Sequence, residues 1–183
     1  STVWIIGIVN AVNLTDGLDG LAGGITFIAS IGFFVIGIID NNSFLMIVSA
    51  LLAGSVLGFL MYNFKGAKIF MGDAGSTFLG FILAILSIYI SKTPTKTTSL
   101  LSPVLLLGLP IFETGVTILR RYFKGNSIFE ADRGHIHHKL LDKGLSQTVA
   151  VLIIYGLSII SVALGVLVYS KNNIILGLIL IFM

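Results

Sequence analysis

The sequence predicts an all-α fold, a polytopic bundle of transmembrane helices with polar loops gathered at one end, on three observations. Hydrophobic residues make up 56% of the 183 residues and charged residues only 10%, against about 25% charged in an ordinary soluble domain. Mean hydropathy is +1.05. Apolar runs long enough to cross a hydrocarbon core of about 30 Å recur along the chain, each bounded by charges or turn residues. The short alternating strands of an outer-membrane barrel do not occur.

In chain order, the first membrane segment is built on the apolar run TVWIIGIV and covers about 2–14, in part. The second, 20–39, is LAGGITFIASIGFFVIGII and stops at Asp40. The third, 43–63, ends before Lys65; its Gly54 and Gly58, in GSVLG, suit close helix packing. The fourth, 75–91, starts at Gly75 and ends at Lys92; the fifth, 99–119, ends at Arg120 and Arg121. Segments 147–169 and 173–183, the latter partial, complete the series. Residues 1–183 are thus read as one transmembrane domain, without an internal repeat. Apolar runs at both ends lead us to expect an incomplete C-terminal portion of a longer protein. Cysteine is absent, so disulfides and thiolate metal sites are excluded.

Alternating spans place loops 15–19, 64–74 and 120–146 on one side of the membrane and loops 40–42, 92–98 and 170–172 on the other. Lys65, Lys68, Arg120, Arg121, Lys124, Arg133, Lys139 and Lys143 lie on the first side, and only Lys92, Lys96 and Lys171 on the second. Basic residues mark the cytoplasmic side. The acidic residues, which did not enter that assignment, also collect there, with Asp40 the exception.

Three polar clusters meet on that face. In NAVNLTDGLDG, Asn10, Asn13, Asp16 and Asp19 recur every three residues. Each step of three drifts about 60° around a helix, so neighbours touch but the four cannot share one narrow face. Gly17 and Gly20 permit the helix to break here, and a broken helix can aim side chains and freed backbone groups into a cavity. An EF-hand is excluded, because Phe27 stands where the bidentate Glu would be. An ordinary polar loop with Asp-Gly turns is the plainer reading.

The second cluster, KGAKIFMGDAGSTFLG, sets Asp73 between Gly72 and Gly75 ahead of a span. This could offer a carboxylate to a divalent cation, with helix-start amides for phosphate oxygens. No Lys follows the second glycine, so it is not a P-loop. Helix capping by Asp73 or Ser76 is the plainer reading. The third cluster, RRYFKGNSIFEADRGHIHHKLLDKG, holds His135, His137 and His138 beside Arg133 and Lys139. Zincin spacing is not met. Imidazoles beside guanidinium and ammonium groups suit a phosphate or diphosphate, and a loop drawn to anionic membrane lipid is the plainer alternative. Aromatics interleave too sparsely for nucleic acid. Glu113, in PIFETG, lies inside a span and should face the bundle interior or a polar cavity.

In their order, NAVNLTDGLDGLAGG, FMGDAGSTFLGF, PIFET…LRR and DRGHIHHKLL resemble the polyprenyl-phosphate N-acetylhexosamine-1-phosphate transferases. This is glycosyltransferase family 4, which includes the enzymes that start enterobacterial common antigen, O-antigen and wall teichoic acid, and is related to the MraY translocase of peptidoglycan synthesis. The resemblance spans 10–141. It implies an Mg2+-dependent enzyme, with Mn2+ as a substitute, in the bacterial inner (plasma) membrane with its site facing the cytoplasm. Such an enzyme transfers a sugar 1-phosphate from a UDP-N-acetylhexosamine to undecaprenyl phosphate, releases UMP and forms homodimers in some members. By residue, Asp73 resembles the metal ligand, and Asp16 with Asn13 the polar group near the reacting phosphates. Gly17, Leu18, Asp19, Asn63 and Phe70 match positions around the uracil ring, and Arg133, His135, His137 and His138 the loop that contacts sugar nucleotide. The spelling HIHH after DRG is closer to the GlcNAc type, so UDP-GlcNAc is the expected donor.

Two departures stand out. The family's adjacent aspartates in an upstream loop have no counterpart here, so the 183 residues alone are expected to be inactive. Glu113 stands where many members carry aspartate. Alternative readings are a noncatalytic fragment of the family, or a transporter or channel, whose acids would lie near the bilayer midplane.

Overall fold

The computed structural model describes residues 1–92, 101–124 and 135–172. Among these the chain forms helices only: α1 (Thr2–Thr15), α2 (Leu21–Ile39), α3 (Ser43–Asn63), α4 (Gly72–Ser91), α5 (Leu101–Leu106), α6 (Gly108–Lys124), α7 (Ile136–Asp142) and α8 (Gln147–Lys171). α2, α3, α4 and α8 are each long and apolar enough to cross a membrane. This is a membrane protein of the all-α class. The expected segment 173–183 lies outside the described residues.

The helices start and stop where local chemistry directs. Asn42 caps α3 by accepting from the Leu45 N–H at 3.0 Å, and Ser146 caps α8 by accepting from Val149 N–H at 3.4 Å. α1 packs on α4, α2 between α3 and α8, and α5 on α8. The α1–α4 seam is close because Gly80 has no side chain: a Cβ there would lie 2.8 Å from the Val9 Cα. Across the same seam Trp4 Nε1 donates to Ser87 Oγ at 2.7 Å. Phe33, Leu83, Leu86 and Tyr169 lie in the fully buried core.

Three expectations are refined. The segment 99–119 is carried by two helices, α5 and α6, with an interruption at Leu107. Pro110 has no N–H to give the Leu106 carbonyl and its ring crowds that same group, which kinks or breaks a helix at this point. Ser161, on α8, donates instead to the neighbouring Leu105 carbonyl at 2.6 Å. Gly54 and Gly58 do not mediate close packing among the described residues: nothing lies within 4 Å of a Cβ built at either, and both are exposed on the outer face of α3. Finally, the third polar cluster is not all loop, since its end folds as α7.

Cross-links show which helix ends share a face. Asn13 with Asp73, Gly20 with Asn63, and Tyr155 with Gly20 join the C-terminal ends of α1 and α3 to the starts of α2 and α4 and the first half of α8. At the other end Asn42 Nδ2 donates to the Tyr89 hydroxyl at 3.0 Å, and the Tyr169 hydroxyl donates to Asp40. Asp40 therefore sits at the end of the bundle opposite the other described acids of the clusters.

Candidate functional site

The stretch that begins in α1 supplies one wall of a cleft. α1 stops at Thr15 because Asp16, its C-terminal cap, leaves the helical region at φ −78° and ψ 50°. Gly20 then adopts φ +81°, which a Cβ would disfavour, and turns the chain into α2. Between the two helices, Asp16, Gly17, Leu18 and Asp19 line a cleft of about 360 Å³, closed on its other side by Asn63, Phe70, Met71, Gly72 and Asp73. Asn10 remains exposed further up α1, as the 60° drift per step requires.

The α4 side of the cleft carries Asp73. It does not cap α4, and neither does Ser76: Met71 occupies the cap position without a side-chain bond, and Asp73 lies in the first turn. Its negative charge is favoured there by the helix dipole. Asn13 Nδ2 donates to Asp73 Oδ1 at 3.1 Å and to Ser76 Oγ at 2.9 Å, which holds the carboxylate against α1. Ser76 in turn donates to the Gly72 carbonyl at 3.1 Å. Asp16 is half-buried beside this group. Its burial, and then the like charges of Asp73 and Asp19, push its carboxyl above the usual carboxylate range.

The opposite side is knit together. Asn63, buried, accepts from Gly20 N–H at 2.7 Å through Oδ1 and donates to the Ile69 carbonyl at 2.8 Å through Nδ2. Asp19 Oδ2 accepts from Ala67 N–H at 3.2 Å. These bonds tie the connection between α3 and α4 to the turn before α2, and leave Phe70 exposed at the cleft with 78% of its surface open. The Tyr155 hydroxyl, from α8, donates to the Gly20 carbonyl at 2.5 Å. Sequence reasoning missed Tyr155; its signal was a phenol in an apolar span.

The histidine segment packs behind the first wall. His135 and His137 stack, their ring centroids 5.4 Å apart and planes 9° from parallel, and His138 lies 4.3 Å from His137. His137 Nε2 would be 2.7 Å from a Cβ on Gly17, so the glycine admits the imidazole. Glu113, only 5% exposed, accepts from Ile136 N–H at 2.9 Å and has His137 Nδ1 at 3.9 Å and His135 Nδ1 at 4.0 Å. It faces the interior and serves as an anchor for α7. Burial, with His138 and His135 adding to it, pushes His137 down to about 4, so it is neutral near pH 7. His138 is the most accessible of the three. Arg133 lies outside the described residues.

A hard divalent cation suits these donors. Mg2+ is commonly held by one or two carboxylates, with waters and substrate phosphates completing its shell. Among the described residues no group of three or more His, Cys, Asp or Glu forms a ready cage. Asp73 and Asp16 could nonetheless supply carboxylate oxygens, and their like charges, which raise the Asp16 carboxyl, are of the kind a cation would relieve.

The model for glycosyl transferase family 4 matches residues 1–91. A Bacillus subtilis relative, named "Probable undecaprenyl-phosphate N-acetylglucosaminyl 1-phosphate transferase", is 41% identical over 182 residues, covering 100% of this chain and 51% of its own. A decaprenyl-phosphate N-acetylglucosaminephosphotransferase of Mycobacterium leprae is 41% identical over 169 residues, 82% of this chain and 42% of its own. A phospho-N-acetylmuramoyl-pentapeptide-transferase of Listeria welshimeri is 36% identical over 170 residues, 90% of this chain and 49% of its own. The chain therefore spans about half the length of the curated relatives it matches. The family match takes in α1 through α4, the helices from which the cleft is built, and the Bacillus similarity continues through the histidine segment; this chain belongs to glycosyl transferase family 4.

Proposed function

We propose that this chain forms the nucleotide-sugar part of a membrane transferase. The full-length protein moves N-acetylglucosamine 1-phosphate from UDP-GlcNAc to undecaprenyl phosphate, releases UMP and starts a cell-envelope polysaccharide. The site faces the cytoplasm of a bacterial plasma membrane. A terminal oxygen of the acceptor phosphate attacks the phosphorus that bears the sugar. A new P–O bond forms, the bond to the UMP oxygen breaks, and the product is a lipid-linked diphosphate sugar.

The observation that carries this reading is a single cleft, at one end of the bundle, that joins the carboxylates Asp16 and Asp73 to the exposed ring of Phe70. Two anions must approach each other there. Mg2+, held by Asp73 and assisted by Asp16, would neutralise the phosphate oxygens that otherwise repel. Asn13 orients the Asp73 carboxylate. Phe70 offers an aromatic face for uracil, with Asp19, Leu18 and Gly17 around it, and Asn63 supports that side. His135 and His137 are buried beside Glu113, so His138 is the one of the three to reach the sugar diphosphate, a role the family resemblance also gives to Arg133. The donor is soluble and the acceptor lies in the bilayer, and a cleft at the membrane face is where the two can meet.

The test is incubation of the full-length natural protein in vesicles with undecaprenyl phosphate, Mg2+ and UDP-GlcNAc labelled in the sugar. Label should enter the lipid fraction with an equal yield of UMP. Label that accumulates inside the vesicles as intact UDP-GlcNAc would make the protein a transporter and overturn the reading.

A further inference from the structure

We propose that Tyr155 is a positioning residue for the nucleotide side of the cleft, an assignment that rests on the reading of the cleft as a UDP-sugar site. Tyr155 does not line the cleft, yet its hydroxyl begins a chain of bonds that ends beside the Phe70 ring. The hydroxyl donates to the Gly20 carbonyl at 2.5 Å. The Gly20 N–H donates to Asn63 Oδ1 at 2.7 Å, and Asn63 Nδ2 donates to the Ile69 carbonyl at 2.8 Å. Ile69 precedes Phe70, and Gly20 follows Asp19. One phenol on α8 thus fixes the turn before α2 and, through Asn63, the connection that carries Phe70.

The surroundings reserve space for this phenol. A Cβ on Gly24 would lie 1.9 Å from both the Tyr155 hydroxyl and its Cζ, so no other residue type fits at position 24 while the ring stays. The ring also packs on Phe64, at the start of the same connection, with centroids 6.0 Å apart. The metal side of the cleft has its own support, Asn13 and Ser76, and shares none of these bonds. The two sides should therefore respond separately to loss of the hydroxyl.

The experiment is Tyr155→Phe in the full-length natural protein, which removes one oxygen and keeps the ring. Two readouts are taken. Hydrogen exchange should rise at the amides of residues 18–20 and 64–70 and stay unchanged in α1 and α4. The KM for UDP-GlcNAc and the inhibition constant of UMP should both rise about three- to tenfold, the usual worth of one buried hydrogen bond, with kcat and the Mg2+ concentration for half-maximal rate unchanged. Unchanged exchange would overturn the positioning role whatever the reaction is. Looser amides with an unchanged KM, or KM, kcat and Mg2+ dependence all moving together, would overturn the assignment to the nucleotide side. If the unsubstituted protein transfers no sugar phosphate, the UDP-sugar reading has failed and the nucleotide assignment with it, while the exchange result still reports whether Tyr155 sets the loop.

Discussion

Asn63 and Asp73 face the same cleft from opposite sides, one buried with both ends of its amide engaged, the other exposed with a single carboxylate oxygen accepting from Asn13. A polar side chain whose bonds go to backbone groups at 2.7 and 2.8 Å is a structural tie. One that keeps an oxygen open to a cleft, beside the like charge of Asp16, is placed to bind something. The difference teaches how to read the whole site. The α1–α4 rim, with Asn13, Asp16 and Asp73, has valence to spare and, on the function proposed above, belongs to the chemistry. The opposite floor, with Gly20, Asn63 and Ile69, is already satisfied and belongs to positioning.

This comparison can be broken at several points, all in the full-length protein. The largest effect is expected from Asp73→Asn, which keeps the shape and the Asn13 contact but removes the charge. Turnover should fall on the order of 10²–10³-fold, as when one charge-stabilising group leaves a preorganised site, and added Mg2+ should not restore it. Near-normal turnover would remove Asp73 from the chemistry.

Next is Asn13→Ala. On the proposed function Asn13 acts by orienting Asp73, so the Mg2+ concentration for half-maximal rate should rise about 10–100-fold, as for other residues that orient a metal ligand. An effect on the UDP-GlcNAc KM alone would place Asn13 on the wrong side of the division.

Glu113→Ala should act behind the cleft. It leaves the Ile136 N–H without its carboxylate, a loss of about 1–3 kcal/mol for a buried group, so amides of 136–142 should exchange about tenfold faster or more. Glu113→Gln retains an acceptor and should restore most of the protection; if Glu113→Ala leaves exchange unchanged, Glu113 is no anchor.

The smallest effect is that of pH on the same segment. His137 is held down near 4 from an ordinary 6.5, so between those values the undocked segment takes up a proton that the docked one refuses. Stability of the docked segment is complete above about 6.5 and is lost as pH falls toward 4. Exchange of 136–142, corrected for its intrinsic pH dependence, should quicken several-fold between about pH 7 and about pH 5.5, and His137→Asn should flatten that response.

The membrane helices were legible because apolar length alone announces them, and the break after Thr15 because Gly17 and Gly20 permit it. The interruption at Leu107 was not anticipated, although Pro110 implies it, because hydropathy continues unbroken across the stretch. α7 escaped because one buried face over seven residues is too short to show a period. Gly54 and Gly58 differ again: small residues allow close packing but do not name a neighbour, and none of the described residues supplies one. The meeting of Asn13 with Asp73 spans 60 residues of sequence, and no local pattern encodes it. Span alternation puts the two clusters on one face of the membrane, and only motif resemblance pairs these two residues. Tyr155 had no motif, and its role emerges only from the Gly20 carbonyl that it meets.

The division between rim and floor is tested most directly by titrating the rate of Asn63→Ala against both UDP-GlcNAc and Mg2+. Asn63 should shift the nucleotide axis alone: the KM for UDP-GlcNAc rises and the Mg2+ concentration for half-maximal rate stays where it was. A shift along the Mg2+ axis with an unchanged KM would contradict the account, because the floor of the cleft would then be part of the metal site.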